Sequence, residues 1–257
     1  MIKNRKVLFA ITSAILICSI LFILHTRKAE SKNEIGAPAP TLTSAQTPSS
    51  KSKSVYLTFD ADMTPFMKEK LDKGIVSSYY SKDLVSYLEK EKIPSTIFVT
   101  GMFAEIYGDL IKEMGKYPEI EIANHSYSHP GFENPCYKLK TISTDAAKIE
   151  ETEKTQKILT ALTGITPKYF RHPGLCHNEH DDLLAKKMGL IVSDDGITSG
   201  DAFNKNPKNI IRNVLSKVHD GSVIIMHLGG PNAPAIDVAI KGMVDKLKED
   251  GLSLIHI

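Results

Sequence analysis

The sequence predicts an α/β protein in which about seven parallel strands close into a distorted barrel with helices outside it. Three observations carry this. Short β-type runs alternate strictly with helix-type segments from about residue 54 to the C-terminus. There are about seven such units in a stretch of roughly 200 residues, a length at which α/β barrels commonly form one domain. Polar residues also follow the strands, which suits a barrel whose strand ends all meet at one face.

Taken in order, the first β run covers 55–59 and delivers Asp60 and Asp62. Apolar residues at helical spacing follow at 82–91, then a second run at 95–99 and a helix at 104–116. The third run, 120–123, leads into His125, and a helix at 145–162 leads to the fourth run, 169–171, which ends on Arg171. A helix at 180–188 precedes the fifth run, 190–193, which Asp194 and Asp195 follow. The helix at 207–218 and the sixth run, 222–226, bring the chain to His227, and a helix at 236–249 and a last run at 252–255 finish it. No internal repeat is visible beyond this alternation. No glycine-rich phosphate loop follows the first run, which argues against a nucleotide-dependent enzyme.

Before this domain, Lys3, Arg5 and Lys6 precede an uncharged apolar run at 7–24, and Arg27 and Lys28 follow it. Eighteen such residues suffice to span a bilayer, and no small-x-small cleavage site ends the run. Residues 1–28 are expected to be an uncleaved signal anchor, with secretion after cleavage as the alternative; both place the domain outside the cytoplasm. Cys18 then lies within the membrane. Residues 29–53, rich in Ser, Thr, Pro, Ala and Lys, read as a flexible tether, and 54–257 as the catalytic domain. With 32 basic against 30 acidic residues the formal charge is +2, which offers no broad field for nucleic acid. A monomer is expected.

The sharpest local pattern is Asn124-His125-Ser126-Tyr127-Ser128-His129-Pro130. Two imidazoles at this spacing lie on one face of a helical turn and can share a metal. Asp60 and Asp62, at the end of an apolar strand, point to the same side in extended chain, so that one can ligate while the other takes a proton. The bland reading is a pair of turn formers. Arg171, followed by His172, Pro173 and Gly174, and His227 after Ile225 and Met226 again place polar groups at strand ends.

These residues resemble the five motifs of the polysaccharide deacetylases that share the NodB homology domain, carbohydrate esterase family 4. The resemblance runs from about Ser54 to the C-terminus. It implies a catalytic base at Asp60, a metal-binding pair at His125 and His129, and an Arg171 that orients the base. A backbone N–H of Gly174 or Leu175 would help hold the oxyanion, and Asp201 would orient His227, the general acid. The implied cofactor is a divalent metal, zinc by ligand type, with cobalt or nickel also fitting. The implied reaction is metal-dependent hydrolysis of N-acetyl groups on an amino-sugar polymer. An envelope tether favours peptidoglycan, on N-acetylglucosamine or N-acetylmuramic acid, with acetate released. An acetylxylan-type ester deacetylase and a non-catalytic sugar-binding relic are the alternatives. Ala61 stands where the family has its metal Asp, so either Asp62 replaces it or water or substrate completes the shell. The chain has no Trp, so the acetyl pocket is lined differently, and the role of His172 is open.

Several residues stand outside these motifs. Cys176, His177 and His180 offer either a separate metal site or an ordinary polar loop. Cys136 and Cys176 follow the second and third motifs and are expected to pair as a disulfide. Phe66, Met67, Tyr79, Tyr80, Met102 and Phe103 read mostly as core, with a sugar cleft as the other use. The Lys/Glu run at 150–157 reads as the solvated face of a helix.

Overall fold

The computed structural model describes residues 53–257. The first apolar run extends over Lys53–Ala61 (β1) and is buried continuously from Leu57 to Ala61. Such a strand belongs in the middle of a sheet covered on both faces. Pairing bears this out, since β1 lies parallel between β2 (Ser95–Val99) and β7 (Val223–His227). Beyond β2 come β3 (Ile120–Asn124), β4 (Tyr169–Phe170) and β5 (Ile191–Val192); beyond β7 lies β6 (Ile197–Thr198). The path β5-β4-β3-β2-β1-β7-β6 is parallel throughout and curls into a half-barrel with helices outside. The eighth strand, β8 (Leu252–Ile255), pairs with the first half of β1, Lys53 opposite Leu252 and Tyr56 opposite Ile255. Lys53, expected to close the tether, is therefore already part of the sheet. The anchor expected at 1–28 and the tether up to residue 52 lie outside the described residues. Among the described residues no helix is long and apolar enough to cross a membrane.

The helices are α1 (Pro65–Asp72), α2 (Lys82–Lys90), α3 (Gly101–Ile106), α4 (Gly108–Met114), α5 (Asp145–Thr163), α6 (Glu179–Lys187), α7 (Pro207–Leu215) and α8 (Ile236–Glu249). Side-chain caps from Thr64, Ser81, Thr100, Thr144, Asn178 and Asn206 start six of them, satisfying amide groups that a helix leaves unpaired. The helix expected at 104–116 is two. Thr100 starts the first of these earlier than the apolar spacing suggests, and Tyr107 leaves helical geometry between them, its hydroxyl accepting from the Tyr79 amide at 3.1 Å. The main core joins β1, β2 and β7 to α2, α3 and α8 through residues such as Leu57, Phe59, Phe103, Met226 and Met243. Tyr79, Met102 and Phe103 are buried in it, whereas Phe66 is exposed.

Two loops are tied together by the Cys136–Cys176 disulfide, with the Cα atoms 5.7 Å apart. It joins the loop after β3 to the turn after β4, the two segments that carry the second and third motifs. Gly174 packs beside it at φ +63°, where an added Cβ would lie 3.0 Å from the Cys136 sulfur. Glycine is the residue that fits both the left-handed backbone and the space.

Candidate active site

Register along β1 sets the site. Asp60 lies opposite His227 on β7, and β1 keeps pairing with β2 as far as Ala61 opposite Val99. Strand alternation therefore sends Asp60 and Asp62 to one side and Ala61 into the apolar core. The register runs unbroken through Ala61, and Asp62 arrives at the imidazole pair by ordinary alternation. Its Oδ1 is 3.4 Å from Nε2 of both His125 and His129, and its Oδ2 is 3.6 Å from Nε2 of His227.

Asp60 turns to Arg171, whose Nη1 donates to Oδ1 at 2.7 Å. Arg171 is fully buried, lies over the Phe98 ring at 4.0 Å and donates from Nε to the Ser193 carbonyl at 2.8 Å. Its own carbonyl sits 2.8 Å from His125 Nδ1. A carbonyl only accepts, so Nδ1 of His125 carries a hydrogen, which leaves Nε2 as the ring nitrogen that faces Asp62. His227 is held twice by Asp201, from its backbone amide to Oδ2 at 2.7 Å and from Nδ1 to Oδ1 at 2.8 Å. Asp201 itself is 2% exposed, while the His227 side chain keeps 24% of its surface open. Asp60, His129, Gly174, Leu175, Asp201 and His227 line one cleft together with Phe203. The Leu175 amide donates to the His172 carbonyl at 3.0 Å, which leaves Gly174 as the better placed of the two backbone donors.

The loop between the two imidazoles is held from α5. Glu151 accepts the backbone amides of Tyr127 and Ser128 at 2.9 and 2.7 Å and the Ser128 hydroxyl at 2.7 Å. The reading of 150–157 as a solvated face is thus corrected at Glu151, Thr152 and Thr155. Lys148, Thr152, Thr155 and Leu159 form the buried stripe of the helix, and Glu151 sits beside it. Asn124 anchors the start of the loop by accepting from the Ser126 amide at 3.0 Å. Ser126 and His129 both take positive φ, +63° and +60°, a backbone cost that other contacts must offset.

The electrostatics follow from this crowding. Burial pulls the His227 imidazole down, but Asp201, with Asp62 and Asp60 behind it, outweighs burial and pushes the ring up to about 10. Burial pushes the Asp62 carboxyl up, and His129, His125 and His227 outweigh it, holding it far below the usual carboxylate range. Burial lowers both imidazoles of the pair. For His125, Asp60, Asp62 and the Arg171 carbonyl reverse the effect; for His129, burial and the neighbouring His125 and His227 outweigh Asp62 and Asp60, and it falls to about 4.

A divalent cation fits these donors. Asp62 Oδ1, which faces both imidazoles, is buried without a hydrogen-bond partner, and one ligand atom each from Asp62, His125 and His129 come within 4.8 Å of one another. Two imidazoles and a carboxylate are a ligand set for zinc or a similar transition ion. Of the two readings left open for Cys176, His177 and His180, the three do not assemble as a metal site. Cys176 is in the disulfide, and His180 pairs with Asp145 at 2.9 Å on the surface. A second group forms instead from His172, His177, Asp182 and Asp194.

A buried Asp–Arg pair, a triad of cation ligands and an Asp-held imidazole at one barrel mouth form an arrangement suited to hydrolysis. Comparison with known proteins gives the class. The family described as polysaccharide deacetylase matches residues 47–193. An uncharacterized 30.6 kDa protein of Geobacillus stearothermophilus is 31% identical over 209 residues, covering 77% of this chain and 67% of that protein. The peptidoglycan-N-acetylmuramic acid deacetylase PdaC of Bacillus subtilis is 27% identical over 94% of this chain, and the match covers 47% of PdaC. Among solved structures, a mutant of a family 4 carbohydrate esterase pseudoenzyme with restored activity superposes with a TM-score of 0.65 at 21% identity, over 80% of this chain and 66% of that one. A family 4 acetyl xylan esterase from Clostridium thermocellum in complex with cobalt gives 0.62 at 22% identity, over 79% and 88%. The chain belongs to the polysaccharide deacetylase family, whose members use a divalent metal.

Proposed function

We propose that this chain is a metal-dependent N-deacetylase acting on an amino-sugar polymer of the cell envelope, with peptidoglycan as the leading substrate. The observation that carries it is Asp62. Although Ala61 stands at the family's ligand position, the carboxylate one residue on reaches both imidazoles at 3.4 Å, so the triad is complete. His125, His129 and Asp62 would hold the cation, zinc by ligand type, with cobalt or nickel as substitutes. When bound, it supplies Lewis-acid polarisation of the acyl carbonyl.

The chain's own residues do the rest. Asp60, fixed by Arg171, takes the proton of the attacking water as its oxygen bonds to the acyl carbon. The Gly174 amide meets the charge that develops on the carbonyl oxygen, and removing such a donor typically costs about 3 kcal/mol of barrier. His227, kept protonated by Asp201, gives its proton to the amine nitrogen as the C–N bond breaks. Acetate and a free amino sugar leave. The apolar run at 7–24 supports an anchored, extracytoplasmic enzyme. PdaC and the Bacillus cereus peptidoglycan-N-acetylglucosamine deacetylase, 26% identical, support peptidoglycan. The test is acetate release by the full chain from peptidoglycan, from N-acetylglucosamine oligomers and from acetylated xylan, with chelator and with zinc. Release from xylan alone would make it an esterase; no release and no bound zinc would make it a relic of the fold.

A further inference from the structure

We propose a second divalent-metal site, formed by His172, His177, Asp182 and Asp194 behind the third motif. One ligand atom from each of the four comes within 4.8 Å of the others. The placement follows from register. β4 and β5 pair with Tyr169 opposite Ile191 and Phe170 opposite Val192, so His172 and Asp194 come next to each other just past the strands. Arg171 turns toward Asp60, and His172, one residue on, turns the other way. α6 brings Asp182 over them, and the turn before it brings His177, whose ring stacks on that of His172 at 4.4 Å and 6°.

Three features mark this group as a place for a cation. The Nδ1 atom of His177 and Oδ1 of Asp182 lie 2.7 Å apart, yet both are buried and neither has a hydrogen-bond partner. Neither atom is satisfied by the other, so both stay open to a cation. Asp194 holds His172 by hydrogen bonds from the His172 backbone amide to Oδ1 at 2.9 Å and between Nδ1 and Oδ2 at 2.5 Å, and the same Oδ2 is 3.1 Å from Nε2 of His177. Finally, Nε2 of the fully buried His172 has no partner, and the ring lies edge-to-face with Phe132 and Phe170. Aromatic surroundings favour an N–H over a bare lone pair. Nδ1 meets Asp194 Oδ2 across a hydrogen bond, and a bound cation would take the place of that hydrogen.

Two imidazoles and two carboxylates neutralise a divalent ion and make a four-ligand set of the closed, structural kind. Imidazole nitrogen selects zinc-like transition ions over calcium or magnesium. A surface cleft lined by His177, Asp182 and Asp194, with Lys186 and Asp195 at its rim, gives the ion a way in. The ion clamps the end of β4 to the end of β5 and to α6. It thereby steadies Arg171, whose Nε already bonds Ser193 next to Asp194, so these four are positioning residues.

The test is zinc counted by mass spectrometry on the full chain, loaded with zinc and freed of excess. About two ions per chain are expected for the wild type. His125→Ala, which alters only the first site, is expected to keep about one, and adding His177→Ala or Asp182→Asn to it to leave none. His177 and Asp182 are partly exposed, 22% and 42%, and circular dichroism checks that each variant folds. A His125→Ala protein that binds no zinc overturns the proposal, as do His177→Ala and Asp182→Asn proteins that keep the wild-type count. The first site's own failure shows separately, as a wild type and a His125→Ala protein with equal zinc.

Discussion

Two imidazole–carboxylate clusters stand back to back across the end of β4, built from the same residue types and differing in what faces them. His129 of the first cluster shares a cleft with Asp60, Asp201 and His227, whereas in the second Asp182 is carried on α6 and His172 lies against Phe132 and Phe170. The first has three protein donors and an open side; the second has four. That difference separates a site that must admit substrate from one that only has to hold chain together. Both depend on α5. Glu151 holds the loop of the first cluster, and Lys148, one turn earlier, makes a buried 2.6 Å pair with Asp181, next to Asp182 of the second.

The comparison is broken hardest at Asp60. Asn in its place should lower kcat for acetate release by ~10²–10⁴-fold, the usual worth of a general base, with zinc content unchanged. A near-wild-type rate would remove Asp60 from that role. Next is Lys148→Met, which leaves Asp181 charged and buried and should cost ~3–5 kcal/mol in denaturant unfolding. Adding Asp181→Leu should restore much of it, and failure to do so would locate the loss in Lys148 packing. The third acts through charge. In chelator-treated protein His227 is raised above its ordinary value to about 10, so its contribution to stability is fully present below the unfolded value near 6.5 and is lost as pH climbs through 10. Asp201→Asn should move the His227 titration seen by NMR down toward neutrality; an unmoved titration would assign the shift to other groups. The smallest effect is expected from Glu151→Gln, which keeps the fold and weakens zinc at the first cluster by ~10-fold, read by chelator competition. Equal weakening at both clusters would show that α5, and not the loop, was disturbed.

Much of this was legible in the sequence because the strands that carry the site are long apolar runs ending in polar groups. Asp60, His125, His129, Arg171 and His227 stand out for that reason. Asp62 stayed open at that level, because spacing says which side a residue faces and not whether it reaches. The second cluster was hidden more deeply. Its members come from two strand ends and a helix, and only the β4–β5 register brings His172 to Asp194. The two-residue strand β6 carries too little pattern to read. Helix α1 has no buried residue, so no apolar stripe announces it. Glu151 was misread because a charged residue in a charged run gives no sign that it faces a loop.

The order of the sheet also governs when a site can exist during synthesis. β1 supplies Asp60 and Asp62 and is made first, yet Thr58 bonds the Ile224 carbonyl across 166 positions of chain, and β8, at the far end, covers the strand's first half. A nascent domain therefore holds its base and ligand on a strand with β2 on one side only until nearly the whole chain has emerged. No amino-terminal fragment that stops short of β7 has His227 or the β7 side of the pairing on β1, so the residues of the site come together only once β7 has been made.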